Sequence, residues 1–156
     1  MKSKVTPKIK FFCGLLLSDR LNTRNMLRRR HYHAGTTYNC TMCSDGVEET
    51  VEHLFFHCSF SKECWAKLHF PLASDTSIQR LDLISYSKFN WTKSLFMDIF
   101  ATSAWSIWKE WNNFYFNGIT PTVPSWTSRF KDDFSLLVHR TKENKHSFID
   151  LLVNSL

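Results

Sequence analysis

Four potential metal ligands within nineteen residues constrain this chain more than any other feature. Cys40 and Cys43 are two residues apart, His53 follows nine residues later and Cys58 four after that, which gives C-x2-C-x9-H-x4-C. Gly46 can take the positive φ that a tight turn after the first pair requires. Three thiolates and one imidazole complete a tetrahedral zinc shell with no open position. The array therefore predicts a structural Zn²⁺ site.

The spacing of the second ligand pair raises a geometric question. Thr50 is placed to cap a short helical segment that carries His53 near its start. Residues five apart on an unbroken α-helix point about 140° away from each other. We therefore expect the segment to break or tighten near Cys58, with Ser59 or Ser61 beginning the next helix.

A second histidine competes for the fourth ligand position. His53 and His57 are four residues apart and share one face of a helix. A thiolate binds zinc more strongly than a second imidazole, which favours Cys58, but both assignments stay open. The bland alternative is that the cysteines are core residues or disulfides, and Cys13 and Cys64 fit a buried core position well.

The start of the chain only superficially resembles a signal peptide. Lysines precede the apolar run Phe11–Leu17, but this run is short, ends in a polar Ser-Asp-Arg sequence and lacks a small-residue cleavage pattern. No stretch reaches the roughly eighteen apolar residues that span a bilayer. We expect an intracellular protein with reduced thiols and no membrane partner, in the nucleus or the cytoplasm.

The positive charge is concentrated near the N-terminus. Residues 1–33 hold nine Lys or Arg and one Asp, a net +8, so the remainder carries 11 − 13 = −2 of the total of +6. The four-residue spacing of the first three arginines in this region predicts one helix face, which is either solvated or neutralised by nucleic-acid phosphates. The candidate phosphate contacts are Arg20, Arg24, Arg28, Arg29 and Arg30, with His31 and Tyr32 as candidate base contacts.

The fold class predicted from apolar periodicity is mainly α. A helix is expected after the cap and proline Thr6-Pro7, with the apolar stripe Phe11, Leu15 and Leu16, and a second helix after Asn22 or Thr23. We expect a small zinc-stabilised helical module over residues 1–70. A helical extension with an aromatic core then covers residues 71–156.

Within this extension the strongest helix covers residues 95–111 and stops at Asn117-Gly118. Residues 71–87 are expected to form a polar loop, Ser125 to cap a further helix, and residues 148–153 to form a last short one. Helical spacing indicates core packing for the aromatic residues. The predicted buried stripe of the long helix is Leu95, Ile99, Thr102, Trp105 and Trp108.

Taken together, several of these segments resemble one known family, the reverse-transcriptase zinc-binding domain of plant non-LTR retroelements and their short derived proteins. The resemblance covers residues 7 to about 68. It rests on the basic and apolar segment 8–29, on Cys40-x2-Cys43, and on Glu49-Thr50-x2-His53-Leu54-Phe55-x2-Cys58-x6-Trp65. Gly14 and Trp111 depart from the family pattern, which usually has Trp and Arg there, and the chain is expected to begin inside the usual domain.

The resemblance implies a function without catalysis. It assigns the zinc ligands as Cys40, Cys43, His53 and Cys58. No polymerase motif is expected with them, since the sequence offers no paired Asp-Asp on a hairpin and no set of carboxylates suited to two-metal phosphoryl transfer. We therefore expect no enzyme, but a zinc-binding domain of retroelement origin that binds RNA or DNA through its basic helix. The alternative is a structural or protein-interaction remnant in which zinc only stabilises the fold.

Overall fold

The computed structural model describes residues 3–32, 35, 37–69 and 95–156. Within these ranges the chain is helical, and its β-structure is limited to one antiparallel bridge between Asn39 and Glu48. This confirms the mainly α fold class. The predicted polar loop 71–87 and the predicted boundary at residues 70/71 lie outside the described residues.

The first two helices begin at threonine caps. Helix α1, Pro7–Leu17, starts after Thr6, whose Oγ1 accepts a hydrogen bond from the Ile9 amide at 3.4 Å. Helix α2, Arg24–Arg29, starts after Thr23, whose Oγ1 accepts from the Met26 amide at 3.4 Å. Each cap satisfies an amide that would otherwise lack a partner in the first helical turn. The second cap is Thr23 and not Asn22.

The buried face of α1 differs from the predicted stripe. Phe11 is 72% exposed and Leu15 only half-buried, whereas the buried side chains recur at i, i+3, i+4 and i+7. They are Ile9, Phe12, Cys13 and Leu16. The continuous apolar run from Phe11 to Leu17 supplies apolar side chains to every face of the helix. Only the packing partners therefore decide which face is buried.

Helix α3, Ser59–Lys67, follows the metal-binding segment, and helix α4, Phe96–Asn117, is the longest described. Helix α4 packs against α1 and α3, and also against α5, Val123–Ser135. It ends as predicted at Gly118, which has a φ of 68° and donates its amide to the Phe114 carbonyl at 2.9 Å.

Packing on several sides explains why the predicted stripe of α4 is only partly right. Leu95 and Thr102 are buried, but Ile99, Trp105 and Trp108 are half-buried. The fully enclosed positions also include small and polar side chains between the predicted ones. A helix surrounded by neighbours has no single apolar face for periodicity to reveal.

Beyond α4, the cap of α5 is Thr122 and not the predicted Ser125. The amide of Ser125 donates to Thr122 Oγ1 at 3.2 Å, so Ser125 lies within the first turn. Two 3₁₀ turns, Leu136–Arg140 and Glu143–Lys145, lead to helix α6, His146–Ser155. This last helix confirms the one predicted over residues 148–153.

The N-terminal module and the extension share one hydrophobic core. The rings of Trp65 and Phe100 stack with centroids 5.5 Å apart, and Phe12 meets Trp105 edge-on at 5.2 Å. Such aromatic pairs contribute about 0.5–1.5 kcal/mol beyond the burial of their area. The segment before α1 is held at Lys4, whose amide donates to the buried Asp98 carboxylate at 2.9 Å. No helix among the described residues is long and apolar enough to cross a membrane.

Candidate metal centre

A short antiparallel turn presents the first two cysteines. The Cys40 amide donates to the Val47 carbonyl at 2.8 Å, and the Glu49 amide donates to the Tyr38 carbonyl at 2.8 Å. Gly46 closes the turn with a φ of 69°, as its position in the sequence predicted. These hydrogen bonds pair the two arms of the turn and leave both thiols, those of Cys40 and Cys43, near its tip.

A buried carboxylate holds this turn against α2. Glu49 is fully buried, and its Oε2 accepts from the Thr41 amide at 3.2 Å and from the Thr41 hydroxyl at 3.3 Å. Its Oε1 accepts from the Arg24 amide at 3.1 Å, at the N-terminus of α2. A negative charge is favourable at that end of a helix. One carboxylate thus fixes the metal-binding turn to a neighbouring element.

The other two ligands lie on a widened helical turn. The His53 amide donates to Thr50 Oγ1 at 3.0 Å, so Thr50 caps the segment as predicted. Residues His53–His57 form a π-helical turn, and the Cys58 amide donates to the His53 carbonyl five residues back at 2.6 Å. Cys58 then leaves the helix with a ψ of 134°.

The predicted break near Cys58 is therefore present, but the expected tightening is wrong because the turn widens instead. Widening brings residues five apart closer to one face than an α-helix allows. Helix α3 then begins at Ser59 with Cys58 itself at the cap position, while Ser61 is buried and donates its hydroxyl to the Leu54 carbonyl at 2.5 Å. Of the two predicted starts, Ser59 is the correct one.

The four predicted ligands meet at one point. The donor atoms of Cys40, Cys43, His53 and Cys58 all lie within 4.8 Å of one another. Cys40 Sγ is 4.0 Å from Cys58 Sγ, and Cys43 Sγ is 3.3 Å from His53 Nε2. A tetrahedral shell with the usual zinc bond lengths places two sulfurs about 3.8 Å apart and a sulfur and a nitrogen about 3.6 Å apart. The cluster therefore fits Zn²⁺ in both chemistry and size.

Electrostatics favours a thiolate at the end of the array. The hydrogen bond from the Cys40 thiol lowers the pKa of Cys58 to about 4. His53 and the amides of Ser61 and Phe60 act in the same direction, while burial opposes them. The same hydrogen bond raises the pKa of Cys40, and burial raises that of Cys43. Because zinc binds thiolates, loading the site displaces the protons that these two thiols hold.

The competing residues lie outside the cluster. His57 is half-buried and its ring nitrogens are not among the grouped donor atoms. Cys13 and Cys64 are buried in α1 and α3 as free thiols. Burial raises the pKa of Cys13 to about 11, and it also raises the pKa of Cys64. These two residues are packing residues, as their sequence context predicted.

The structure separates the arginines of the predicted basic face. Arg20 precedes α2, so it does not share a helix face with Arg24 and Arg28, and that part of the prediction is wrong because the helix begins only after Thr23. Arg24 is half-buried, with its Nη1 donating to the Thr37 carbonyl at 3.2 Å and to the Asn39 carbonyl at 3.3 Å. It therefore braces the metal-binding turn.

The three remaining arginines are exposed at the end of α2. Arg28 pairs with Glu48 at 2.7 Å and Arg29 with Asp19 at 2.9 Å, while Arg30 donates to the Asn22 side-chain oxygen at 3.1 Å. The candidate base contacts His31 and Tyr32 follow directly and are exposed, Tyr32 by 67%. Exposed ion pairs contribute about 0–1 kcal/mol, so a phosphate can displace these carboxylates.

Comparison with known proteins agrees with this geometry. Residues 1–65 match a family described as zinc-binding in reverse transcriptase. These residues belong to that family. The resemblance to a reverse-transcriptase zinc-binding domain is thus confirmed over residues 1–65, and the cofactor of this module is Zn²⁺. No curated protein and no solved structure matches the chain.

One residue important to the zinc-binding module has no role in the sequence prediction. Glu49 stands in the motif that carries the resemblance, but it is the same residue type as its neighbour Glu48. The fold makes the distinction: Glu49 is fully buried beside Thr41, whereas the Glu48 side chain is 37% exposed and pairs with Arg28. The available signal was its position one residue before the helix cap Thr50.

Proposed function

We propose that this chain is a non-catalytic, zinc-stabilised module that binds RNA or DNA through a basic face formed by Arg20, Arg28, Arg29 and Arg30. The observation that supports it most is that all four side chains are exposed, and that Arg28 lies against the metal-binding turn through its ion pair with Glu48. Among the described residues, Arg20 and Arg30 have no carboxylate partner. Neither of these two guanidinium groups has to give up a carboxylate before it forms charge-assisted hydrogen bonds with a phosphate.

The proposal excludes a catalytic role for the metal because of the ligand set. Four protein donors complete the tetrahedral shell, and a catalytic zinc keeps one position for water or substrate. We also propose that the module derives from a retroelement reverse transcriptase, since the matched family carries that description. Zinc then supplies the rigid support, and the basic face supplies the contact with the nucleic acid.

The test is the salt dependence of binding. The wild type should bind a fluorescein-labelled single-stranded RNA in an anisotropy titration at low salt, with affinity falling as counterions are released. Arg20→Gln combined with Arg30→Gln breaks no ion pair with a described residue. It should weaken binding to all sequences alike and flatten the log–log slope by about 1.4, at about 0.7 per lost phosphate contact.

A matched control separates the basic face from net charge. Arg140→Gln with Lys142→Gln removes the same charge from an exposed site on the extension and should leave affinity nearly unchanged. Equal losses in both double variants would indicate unspecific attraction. A zinc-loaded protein that binds neither RNA nor DNA at low salt would favour the structural or protein-interaction remnant instead.

A further inference from the structure

Two tyrosines lie against arginines of α2, of which Arg28 belongs to the basic face and Arg24 does not. The Arg28 guanidinium lies over the Tyr38 ring, 5.6 Å from its centroid, and the Arg24 guanidinium lies 5.8 Å from the centroid of Tyr115. Arg24 and Arg28 are four residues apart in α2, so their side chains are neighbours on one side of the helix. The two arginine–tyrosine pairs thus place positive charge and flat rings on one surface.

The C-terminal end of α4 adds an exposed aromatic ring to this surface. Trp111 and Tyr115 stack with centroids 4.9 Å apart and an interplanar angle of 11°, and Phe116 meets Tyr115 edge-on at 5.1 Å. Phe116 is 71% exposed, although an apolar side chain of this size gains about 1.5–3 kcal/mol from full burial. Its ring is therefore largely open to solvent, next to the Tyr115 ring that the Arg24 guanidinium contacts.

We propose that the nucleic acid recognised by this chain is single-stranded, with an unpaired base stacked on Phe116 beside the Arg24–Tyr115 pair. The inference rests on the proposed binding to the basic face and names the class of ligand for it. An unpaired base can offer its flat face to a protein ring, whereas the bases of a duplex are stacked on each other and inaccessible. A charged groove with exposed aromatic rings is the arrangement that single strands require.

The substitution Phe116→Ala tests the stacking contact without disturbing the core, because the ring is exposed. The probes are a labelled single-stranded RNA of about 12 nucleotides and the same sequence annealed to its complement. The wild type should bind the single strand more tightly. Phe116→Ala should weaken single-strand binding about tenfold, leave duplex binding unchanged, and keep the salt slope of the wild type because no charge is lost.

Two further variants complete the experiment. Phe116→Trp should retain single-strand affinity, since it keeps a stacking surface, and Phe148→Ala should have no effect, since that exposed ring lies on α6. If Phe116→Ala binds the single strand as tightly as the wild type does, while the Arg20/Arg30 variant binds it more weakly, the stacking proposal is wrong. The proposed binding to the basic face is then still supported. A preference for the duplex, or equal losses in Phe116→Ala and Phe148→Ala, also overturns the stacking proposal. Absence of all binding overturns both proposals.

Discussion

The Glu49 carboxylate and the backbone of Thr41 are joined by a hydrogen bond of 3.2 Å inside the N-terminal module. Thr41 lies between two metal ligands, so this bond transmits the position of α2 to the zinc site. Groups that orient the ligands of a metal site through hydrogen bonds typically account for 10- to 100-fold in metal affinity.

Glu49→Ala is therefore expected to weaken zinc binding by about 10- to 100-fold and to destabilise the fold. The loss leaves the part-buried amides of Thr41 and Arg24 without this acceptor, at up to about 1–3 kcal/mol for each. Competition with a chromophoric chelator and thermal melting measure the two effects. Glu48→Ala, which removes the half-exposed carboxylate next to Glu49, should change zinc affinity and melting temperature only slightly. Equal losses in the two variants would contradict a specific role for Glu49.

Zinc removal is expected to unfold at least residues 36–68. A module this small depends on the metal for part of its folding free energy, and one zinc ion should copurify with each chain. Elemental analysis gives the stoichiometry, and circular dichroism before and after chelation gives the helix content. Full helix content with an unchanged melting temperature after stripping would contradict a structural role for the ion.

The fourth ligand is tested by two substitutions. Cys58→Ser should abolish tight zinc binding, because Cys58 Sγ lies 4.0 Å from Cys40 Sγ within the donor cluster. His57→Ala should leave zinc binding nearly intact, since its ring is outside that cluster. Zinc titrations of both variants distinguish the assignments, and the reverse result would transfer the ligand role to His57.

The two buried thiols, Cys13 and Cys64, should be unreactive in the folded, zinc-loaded protein. Burial raises the pKa of Cys13 to about 11, from an ordinary value of 9.0, so roughly a hundredfold less thiolate exists at pH 8 in the folded chain. Alkylation of native, zinc-loaded protein followed by mass spectrometry should leave Cys13 and Cys64 unmodified. Both should react in denaturant, and rapid native labelling of Cys13 would show that α1 does not pack as described.

The two tryptophans Trp65 and Trp105 differ in burial, so we expect their replacement by alanine to lower the free energy of unfolding by different amounts. Trp65 is fully buried and donates its indole N–H to the Phe55 carbonyl at 2.7 Å, so Trp65→Ala should cost about 3–5 kcal/mol. Trp105 is only half-buried, and Trp105→Ala should cost less. Denaturant melts of the two variants give the comparison, and an equal or larger loss for Trp105 would show that its contacts with Phe12 carry more of the core.

Features that depend on residues close together in the chain could be predicted from the sequence. The packing of a helix against several neighbouring elements could not. Ligand spacing and the capping residues Thr6 and Thr50 act within a few positions of the chain, so their structures followed from local rules. The buried faces of α1 and α4 depend on which elements surround them, which neither periodicity nor composition determines. The same limit applies to Arg24 and Glu49, whose partners at Asn39 and Thr41 come from separate segments.

The π-helical turn at His53–His57 has a consequence for how the ligand spacing can vary. A π turn accommodates one residue more than the α turn it replaces. Deleting one residue from the Leu54–His57 stretch would place the histidine and the cysteine four apart, where a regular α-helix already aligns them on one side. H-x4-C with a π turn and H-x3-C on a regular α-helix therefore place the two ligands in equivalent positions. A natural or engineered chain with the shorter interval should bind the same ion, with α-helical hydrogen bonds throughout the segment.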